Sequence, residues 1–488
     1  MKPLLLLSLV FILSCCYDKK TEKIEDRDVN NFAASVFSSQ ENFSVFGKVE
    51  LQAILKKSEF NKVKISGISP SLFISDYLNQ LNPKKPIYYA LEGPFDASYF
   101  SEESKTSKYL FAEIKSNTSF LEFMQKQGFE LKKSEKGQIS YFNNSNLFFA
   151  VQGNILISII DAKENEAIEQ AKKLFKSSSK KQKSKMDAFL KTKGDVVFCT
   201  NMEALYSSYN KKLKDIDKNI QAKIQKSFKE SSVNTSVFFE KGQIRLKFKT
   251  SFSETLKKEL DFLQPIQKNS IINKVASGKP NAGIDLQLNF KKLSKFLNTY
   301  FNNFNSVIRD SGADMLLEDM SITDIFETIF NGNISCFVYP EKNENGAITP
   351  NFPQFNLYMG LSKNGDEEIK KLGLLTLING FSINKNSILL CSDEKNHPKN
   401  GILTLRKEFE KFGEKPISLF VDVEEENTEE FNEMSYGIIQ EIKNAYLELD
   451  INGGEIIIQT KHTNENILKS SVNFGLRILS DNLLSKLF

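Results

Sequence analysis

The stretch AYLELDINGGEIIIQTK, residues 445–461, indicates what kind of fold this chain has. Apolar and polar residues alternate around Asn452-Gly453-Gly454, which is a strong signal for a β-hairpin. A short apolar run, Ile417 to Val423, precedes it, and apolar residues then recur at helical spacing over Glu429 to Asn444. Glu465 to Leu479 is helical again. The order strand, helix, hairpin, helix predicts an α+β fold, with mostly antiparallel sheets and helices packed on one face.

The same order of elements occurs twice along the chain, and this predicts an internal repeat. In both places a strand runs into a helix, further strands follow, and a Gly-turn hairpin closes the series. Six pairs of segments match in the same order: 49–55 with 288–294, 87–91 with 334–338, 111–117 with 358–364, 154–158 with 387–391, 195–201 with 416–422, and 242–249 with 454–461. We therefore predict two α+β halves with two sub-units each, namely 33–267 (about 33–176 and 190–267) and 270–488 (about 270–412 and 414–488).

The first residues have the pattern of a processing signal, which is removed and does not belong to the mature fold. Leu4 to Leu13 is an unbroken apolar run, too short to cross a bilayer core about 30 Å thick. Ile12-Leu13-Ser14-Cys15 follows directly and resembles the lipobox of bacterial lipoproteins. The resemblance implies cleavage before Cys15 and acylation of that residue, for example with palmitate. Residues 1–14 are thus the predicted signal peptide, and the polar residues 15–32 a flexible tether.

The five cysteines fall into two groups. Cys15 has the small residue before it that a lipobox requires, whereas Cys16 follows another cysteine; the alternative is an ordinary secretory signal with a chance cysteine. Cys199, Cys336 and Cys391 lie in apolar, strand-like runs and are expected to be small buried hydrophobes. Three thiols cannot all pair within one chain, and the sequence leaves open whether any two of them form a disulfide.

Charge and hydropathy narrow the range of partners. The chain has 65 Lys and Arg against 61 Asp and Glu, a net charge of +4, so no global field favours nucleic acid. Beyond the signal, no run approaches the roughly 18 apolar residues of a transmembrane helix. The lysine-rich stretch Lys176 to Lys185 is expected to be an exposed linker, and contact with anionic lipid headgroups is the alternative.

The motifs that would carry catalysis are absent or lie in unsuitable places. His397 and His462 are far apart in polar, loop-like segments, and neither has a second His or Cys at ligand spacing. No phosphate-binding glycine loop and no G-x-S-x-G turn occurs. Ser177 and Lys180 form a Ser-x-x-Lys pair, but within low-complexity sequence that offers no rigid pocket. We therefore expect no enzyme activity, no cofactor and no metal site.

Two acidic segments are candidates for cation binding, and each has a simpler interpretation. Asp450 to Glu455 opens like a calcium loop, but Glu455 stands where the sharp turn needs Gly, and Lys461 where a bidentate Glu is required. A hairpin turn therefore explains this segment better. Asp422 to Glu430 could gather a divalent cation, but carboxylates also favour the start of a helix. Paired carboxylates for glycoside hydrolysis stay an open alternative, because folding and not sequence sets their spacing.

The lipobox, the long α+β body and two further segments, Val49 to Leu55 and Tyr88 to Leu91, together resemble a known family. It is a family of Bacteroidetes lipoproteins, domain of unknown function 4836. The resemblance covers most of the chain after the signal and rests on pattern. It implies an envelope lipoprotein without an established activity, and it supplies no catalytic residues.

The sequence therefore predicts a membrane-anchored cell-envelope lipoprotein with a non-catalytic binding or scaffold role. Its expected partners are the membrane, through the lipid, and an envelope protein of unknown identity. The alternatives are a carrier of an apolar ligand such as lipid, which needs a cavity on the order of several hundred Å³, and a carboxylate-dependent hydrolase. Cys16 to Lys20 holds a single acid, unlike the dense acidic signal linked with surface export. We expect the periplasmic face of the outer membrane, with surface exposure as the alternative.

Replacing Cys15 with Ser tests the anchor. The variant lacks the thiol that would carry the lipid, so we expect it to leave the membrane fraction while the body stays folded. Fractionation of cells that produce either chain measures this. Cys16→Ser is the matched control and should remain with the membrane. A Cys15→Ser chain that stays membrane-bound with its signal cleaved contradicts the prediction.

Overall fold

The computed structural model confirms a mixed α+β fold with large, mainly antiparallel sheet structure. It describes residues 26–59, 62, 71–93, 107–134, 138–144, 147–160, 162–177, 186–209, 217–263, 272, 275–300, 327–339, 354–371, 381–392, 402–423, 442–461 and 463–469. The predicted signal peptide, Cys15, His397 and His462 lie outside these residues. Most of the acidic run from Asp422 to Glu430 also lies outside them.

The described chain packs as two compact units. Unit 1 comprises the described residues up to Tyr209 together with Asn234–Val237. Unit 2 comprises the described residues of 217–233 and 238–469. Division by packing differs from division by sequence repeat, so the predicted repeat boundary near residues 267–270 stays a prediction.

Unit 1 contains a sheet flanked by helices. Its strands follow the order β4-β5-β6-β7-β3-β2-β1-β8, and every pairing is antiparallel. The strands are β1 Phe43–Val49, β2 Ile87–Glu92, β3 Lys108–Glu113, β4 Lys132–Lys133, β5 Ser140–Asn144, β6 Leu147–Gln152, β7 Ile155–Ile160 and β8 Val196–Asn201. The helices are α1 Val29–Ser39, α2 Leu51–Ser58, α3 Ser71–Gln80, α4 Asn117–Lys126, α5 Glu164–Ser177, α6 Met186–Lys191 and α7 Met202–Tyr209.

Unit 2 contains a further set of paired strands. From β14 to β10 their order is β14-β15-β13-β12-β11-β16-β17-β18-β10, again antiparallel throughout, and β10 also pairs with β9, of which residues 234–237 belong to unit 1. The strands are β9 Ser232–Glu240, β10 Gln243–Ser251, β11 Ala282–Gln287, β12 Phe330–Tyr339, β13 Gln354–Leu361, β14 Phe381–Asn384, β15 Ser387–Cys391, β16 Ile417–Asp422, β17 Ile442–Asp450 and β18 Gly453–Thr460. The helices are α8 Lys218–Phe228, α9 Glu254–Glu259, α10 Phe290–Tyr300 and α11 Gly365–Lys371.

Two element boundaries differ from the sequence prediction. α1 begins at Val29, inside the predicted tether 15–32, because the Asp28 carboxylate accepts hydrogen bonds from the Asn30 and Asn31 amides at its start. β17 begins at Ile442, so the last residues of the helix predicted over Glu429 to Asn444 are strand. The ladder to β18 sets this start, since Ile442 and Asn444 pair with that strand. The rest of the predicted helix lies outside the described residues.

Helices cover both faces of the unit 1 sheet, so the prediction of helices on one face is wrong there. β7 shows the reason, because ILISII is buried along nearly its whole length and needs cover on both sides. Ile155, Ile157 and Ile159 pack in one cluster with side chains of α1 and α5. Leu156, on the other face, packs with Phe120 and other side chains of a separate cluster that includes α4.

The core of unit 2 is an aromatic cluster on one face of its sheet, which we call the core face. Phe337 and Phe420 come from β12 and β16, and both are fully buried. The segment before β16 places Phe409 and Phe412 over them. The ring centroid of Phe420 lies 4.7 Å from that of Phe409 and 5.0 Å from that of Phe412. The segment 402–416 is thereby held against the sheet.

Phe420→Ala should destabilise unit 2 strongly. Truncating a fully buried Phe costs about 3–5 kcal/mol through lost transfer free energy and the cavity left behind. The matched control is Leu419→Ala, because Leu419 directly precedes Phe420, lies on the opposite face and is 36% exposed. Its cost should be about 1 kcal/mol or less. Urea unfolding followed by far-UV circular dichroism measures both, and equal shifts would show that Phe420 is not a core residue.

Candidate functional site

The most unusual surface of the described chain is the second face of the unit 2 sheet. Leu419 and Val421 on β16 are 36% and 38% exposed, among the few large apolar side chains so exposed. Their cross-strand neighbours on this face are also apolar and reach across six strands, β12-β11-β16-β17-β18-β10. We call this set of sixteen residues, none of them buried, the open face: Ile244, Leu246, Ala282, Ile284, Leu286, Ile334, Cys336, Val338, Ile417, Leu419, Val421, Ala445, Leu447, Leu449, Ile456 and Ile458. The register places three further residues beside it on the same side of the sheet, Phe248, Phe355 and Leu357, and none of these is buried either.

The core face of the same strands carries buried polar groups beside its aromatic cluster. Asp285 is fully buried, and its cross-strand neighbours are Ser335 and Ser418, which are fully buried as well. The Ser335 hydroxyl donates to one oxygen of the Asp285 carboxylate, and Gln287 Nε2 donates to the other at 2.7 Å. Gln287 Nε2 also lies 3.0 Å from the carbonyl oxygen of Gly413. The core face thus combines the aromatic cluster with buried polar groups, whereas the second face carries half-exposed aliphatic groups where a two-faced sheet usually has polar ones.

One end of this second face is closed. Ile369 of α11 packs with Leu361 of β13 and Ile388 of β15 in a small apolar cluster, and Met359 packs against it. Met359 is the cross-strand neighbour of Ile334, so this cluster adjoins the open face directly. Among the described helices, α11 packs against β13 and β15, and the open face lies on the strands beyond them.

A pair of carboxylates lies on the core-face side of the hairpin. Glu448 and Glu455 are directly opposed across β17 and β18, and like charges in that position destabilise a sheet. The Tyr446 hydroxyl donates to Glu448 at 3.0 Å. Arg245 Nε and Lys247 Nζ lie 3.8 and 3.6 Å from Glu455. These cations offset the repulsion, and the cluster holds three strands together.

Glu448 and Glu455 are two close acids, which is what the hydrolase alternative requires. Burial, together with the negative charge of Glu448, raises the pKa of the Tyr446 hydroxyl, so this group stays a hydrogen-bond donor at neutral pH. Both carboxylates are engaged with neighbouring side chains. In the part of the chain that the structure describes, no group of three or more His, Cys, Asp and Glu side chains is placed to hold a metal ion.

Each of three residues from the candidate cation-binding and catalytic segments has a structural role in the described part of the chain. Asp450 forms the turn of the β17–β18 hairpin by accepting from the Asn452 amide at 2.6 Å, and it pairs with Lys415. The calcium-like segment is thus a hairpin turn. Asp422 is buried and paired with Arg406. Ser177 ends α5 with its hydroxyl donating to the Leu174 carbonyl oxygen at 2.9 Å. No two of these candidates share a site.

The three described cysteines are free thiols in separate surroundings. Cys199 is buried in the core of unit 1. Cys336 belongs to the open face, whereas Cys391 packs against the aromatic cluster of the core face. Burial raises the pKa of the Cys336 thiol, and it raises the pKa of the Cys391 thiol to about 11. The positions of Cys336 and Cys391 on opposite faces of the sheet do not favour a disulfide.

The entry of the chain into unit 1 is held by polar contacts. The Asn154 side chain accepts from the Arg27 amide at 2.8 Å and donates to the Arg27 carbonyl oxygen at 2.9 Å. Lys85 pairs with Asp28. The Tyr88 hydroxyl donates to the Asn30 side chain at 2.8 Å. The tether predicted from Cys15 therefore meets a fixed point at residues 27–30.

Comparison of the chain with known proteins does not identify a family to which it belongs. No family model and no curated protein matches the chain. Among solved structures, crystal form IV of TP0453 is 11% identical with a TM-score of 0.27, covering 44% of this chain and 79% of that one. Crystal form I gives 11% and 0.27, with 45% and 78% covered, and crystal form III gives 10% and 0.23, with 73% and 91% covered. Similarity at this level carries no functional argument. No helix in the described ranges is long and apolar enough to cross a membrane.

The three thiols should stay unpaired and react slowly in the folded chain. With a pKa of about 11, only about one Cys391 side chain in a thousand is thiolate at pH 8, and the thiolate is the nucleophile. We expect alkylation by iodoacetamide to be much slower than for free cysteine and to recover in urea. Peptide mass spectrometry assigns each site. A native bridge between Cys336 and Cys391 would contradict this arrangement of the sheet.

Proposed function

We propose that this chain is a membrane-anchored cell-envelope lipoprotein with a non-catalytic binding role, and that the open face is its binding surface. The observation that supports the proposal is the open face itself. It is a continuous set of sixteen apolar residues on six strands, and none of them is buried. Scattered apolar residues on a surface need no explanation, but a contiguous patch does.

The size of the open face supports a binding role. Strands lie about 4.8 Å apart, and residues on one face of a strand repeat every 6.6 Å or so, which gives roughly 32 Å² of flat sheet per residue. Sixteen residues then cover about 500 Å². The largest apolar patch of a typical monomer is about 300–600 Å² and is often functional. The open face therefore lies within the size range of functional patches.

The proposed anchor fits the way the chain enters unit 1. Eleven residues lie between Cys15 and Arg27, and the twelve Cα–Cα steps from one to the other span at most about 40 Å. Lipid on Cys15 would thus keep unit 1 within about 40 Å of the bilayer. We place the protein at the periplasmic face of the outer membrane, on the strength of the lipobox and the scarcity of acids after it.

We also propose that the two units are copies of one ancestral fold. The pairing order β7-β3-β2-β1-β8 in unit 1 parallels β15-β13-β12-β11-β16 in unit 2. The registers correspond as well. Lys48 lies between Tyr88 and Val197, as Asp285 lies between Ser335 and Ser418.

A carrier of an apolar ligand is the second candidate function. The open face contains no charged side chain that could hold a polar partner in a fixed position. The hydrolase alternative receives no comparable support, because Glu448 and Glu455 are both engaged within the sheet.

Leu419→Asp should impair binding of an apolar probe. A carboxylate in the middle of the open face would be buried without a partner when the probe binds, at a cost that we expect to lower affinity at least about tenfold. Fluorescence titration with N-phenyl-1-naphthylamine, a neutral dye, measures this. The full chain carries Cys15→Ser so that no acyl anchor competes.

The matched control is Ile402→Asp, because Ile402 is 81% exposed and lies outside the open face. It should bind the dye like the parent chain. Equal affinities for the parent chain and both variants would show that the open face does not bind the dye, and the proposed binding surface would then be rejected.

A further inference from the structure

We infer that the open face pairs with the open face of a second copy of this chain, an inference that rests on the proposed binding role of this face. The extent of the apolar surface carries the first step. Phe248, Phe355 and Leu357 continue the open face along β10 and onto β13. Nineteen apolar residues on seven neighbouring strands then lie side by side, and none of them is buried. We call these nineteen residues the extended open face.

The extended open face has the area that a dimer needs. At roughly 32 Å² of flat sheet per residue, nineteen residues cover about 600 Å². Two copies would then bury about 1,200 Å² in total, which reaches the range of specific, stable interfaces. The flat area is a minimum, because side chains stand up from a sheet and expose their flanks as well.

The residue types of this surface are those of an interface between copies. Homodimer interfaces are more apolar than those of transient complexes, and charged residues are depleted at their centres. The extended open face is apolar throughout. Lys443 lies at the irregular start of β17, next to Ala445, where it can belong to a polar rim. The other charged residues of the seven strands project to the opposite face by register: Arg245, Lys247, Lys249, Asp285, Asp422, Glu448, Asp450 and Glu455.

A surface of this kind is complementary to its own copy. In a two-fold symmetric dimer the same patch of both copies forms the interface, so a charge within it would meet a like charge or an apolar group. Aliphatic and aromatic side chains avoid both conflicts. Two sheets pack face to face about 10 Å apart, with their side chains interdigitated. The extended open face would thus form one side of such a sandwich, with the core face of each copy turned away from the partner.

The matching face of unit 1 lacks this continuity, although Leu110 is 39% exposed there. By register, Lys108 stands where unit 2 has Phe355, and Thr200 stands where unit 2 has Val421. A charged side chain and a hydroxyl therefore interrupt the apolar area in unit 1. This difference assigns the contact between copies to unit 2.

The mass of the full chain in solution, with Cys15→Ser so that no acyl anchor contributes, tests the inference. Sedimentation equilibrium should give twice the mass of one chain at high protein concentration. Leu419→Asp places one carboxylate from each copy in the interface, where both lose water without gaining a partner. At about tenfold for each carboxylate, the dimer dissociation constant should rise about a hundredfold. Circular dichroism checks that the variant is folded.

Two controls and one measurement on the parent chain locate the contact. Leu110→Asp is the matched control, because Leu110 is as exposed as Leu419 but lies in unit 1. It should dimerise like the parent chain, and so should Ile402→Asp. Cys336 belongs to the open face, so its alkylation should slow as the protein concentration rises. The alkylation of Cys391, which packs against the core face, should not depend on concentration.

The outcomes separate this inference from the proposed function, provided that dye binding is measured on dilute protein. If the chain has the mass of one copy at every concentration while the dye binds in a Leu419-dependent way, the face binds another partner and the dimer inference is wrong. If a dimer forms but neither Leu419→Asp weakens it nor Cys336 is protected in it, the copies meet elsewhere and the inference is wrong again. Loss of the Leu419 dependence of dye binding rejects the binding surface itself.

Discussion

The register of the unit 2 sheet depends on one buried carboxylate. Asp285 is fully buried, and a buried polar group is tolerable only when hydrogen bonds compensate for the water it has lost. The Ser335 hydroxyl and the Gln287 amide supply those bonds. Because successive side chains of a strand point to opposite faces, a slip of one residue would turn Asp285 outward and press Ile284 against the aromatic cluster. These hydrogen bonds therefore fix which face is inside.

The open face follows from that constraint. Once β11 is fixed with Asp285 inward, Ile284 and Leu286 have to point outward, and the antiparallel pairings carry the same choice to the neighbouring strands. Leu419 is outward for this reason, since it pairs with Ile284, while Phe420 is inward and joins the core. The exposed aliphatic surface is thus not a local accident of β16. It is built into the register of six strands.

Local patterns in the sequence revealed the elements, but not how they align. Asn452-Gly453-Gly454 is visible as a turn because its residue types tolerate the backbone that a tight hairpin needs, and Gly453 has a φ of +133°. The start of β17 at Ile442 was missed because pairing with β18 overrides a weak helical period. The row of Ser335, Asp285 and Ser418 was missed for another reason. Each is a single polar residue in its own strand, and only the register brings the three together.

Unit 1 carries a comparable face on the matching strands. Leu110 of β3 is 39% exposed, and its cross-strand neighbour Tyr89 is half-buried. Cover on this face is local in both units. In unit 1, Leu156 of β7 packs in the cluster that includes α4, and in unit 2, α11 packs against β13 and β15. Strands farther along the sheet carry half-exposed apolar side chains in both units, so this feature goes with the strand order that the units share and not with the side chains of unit 2 alone.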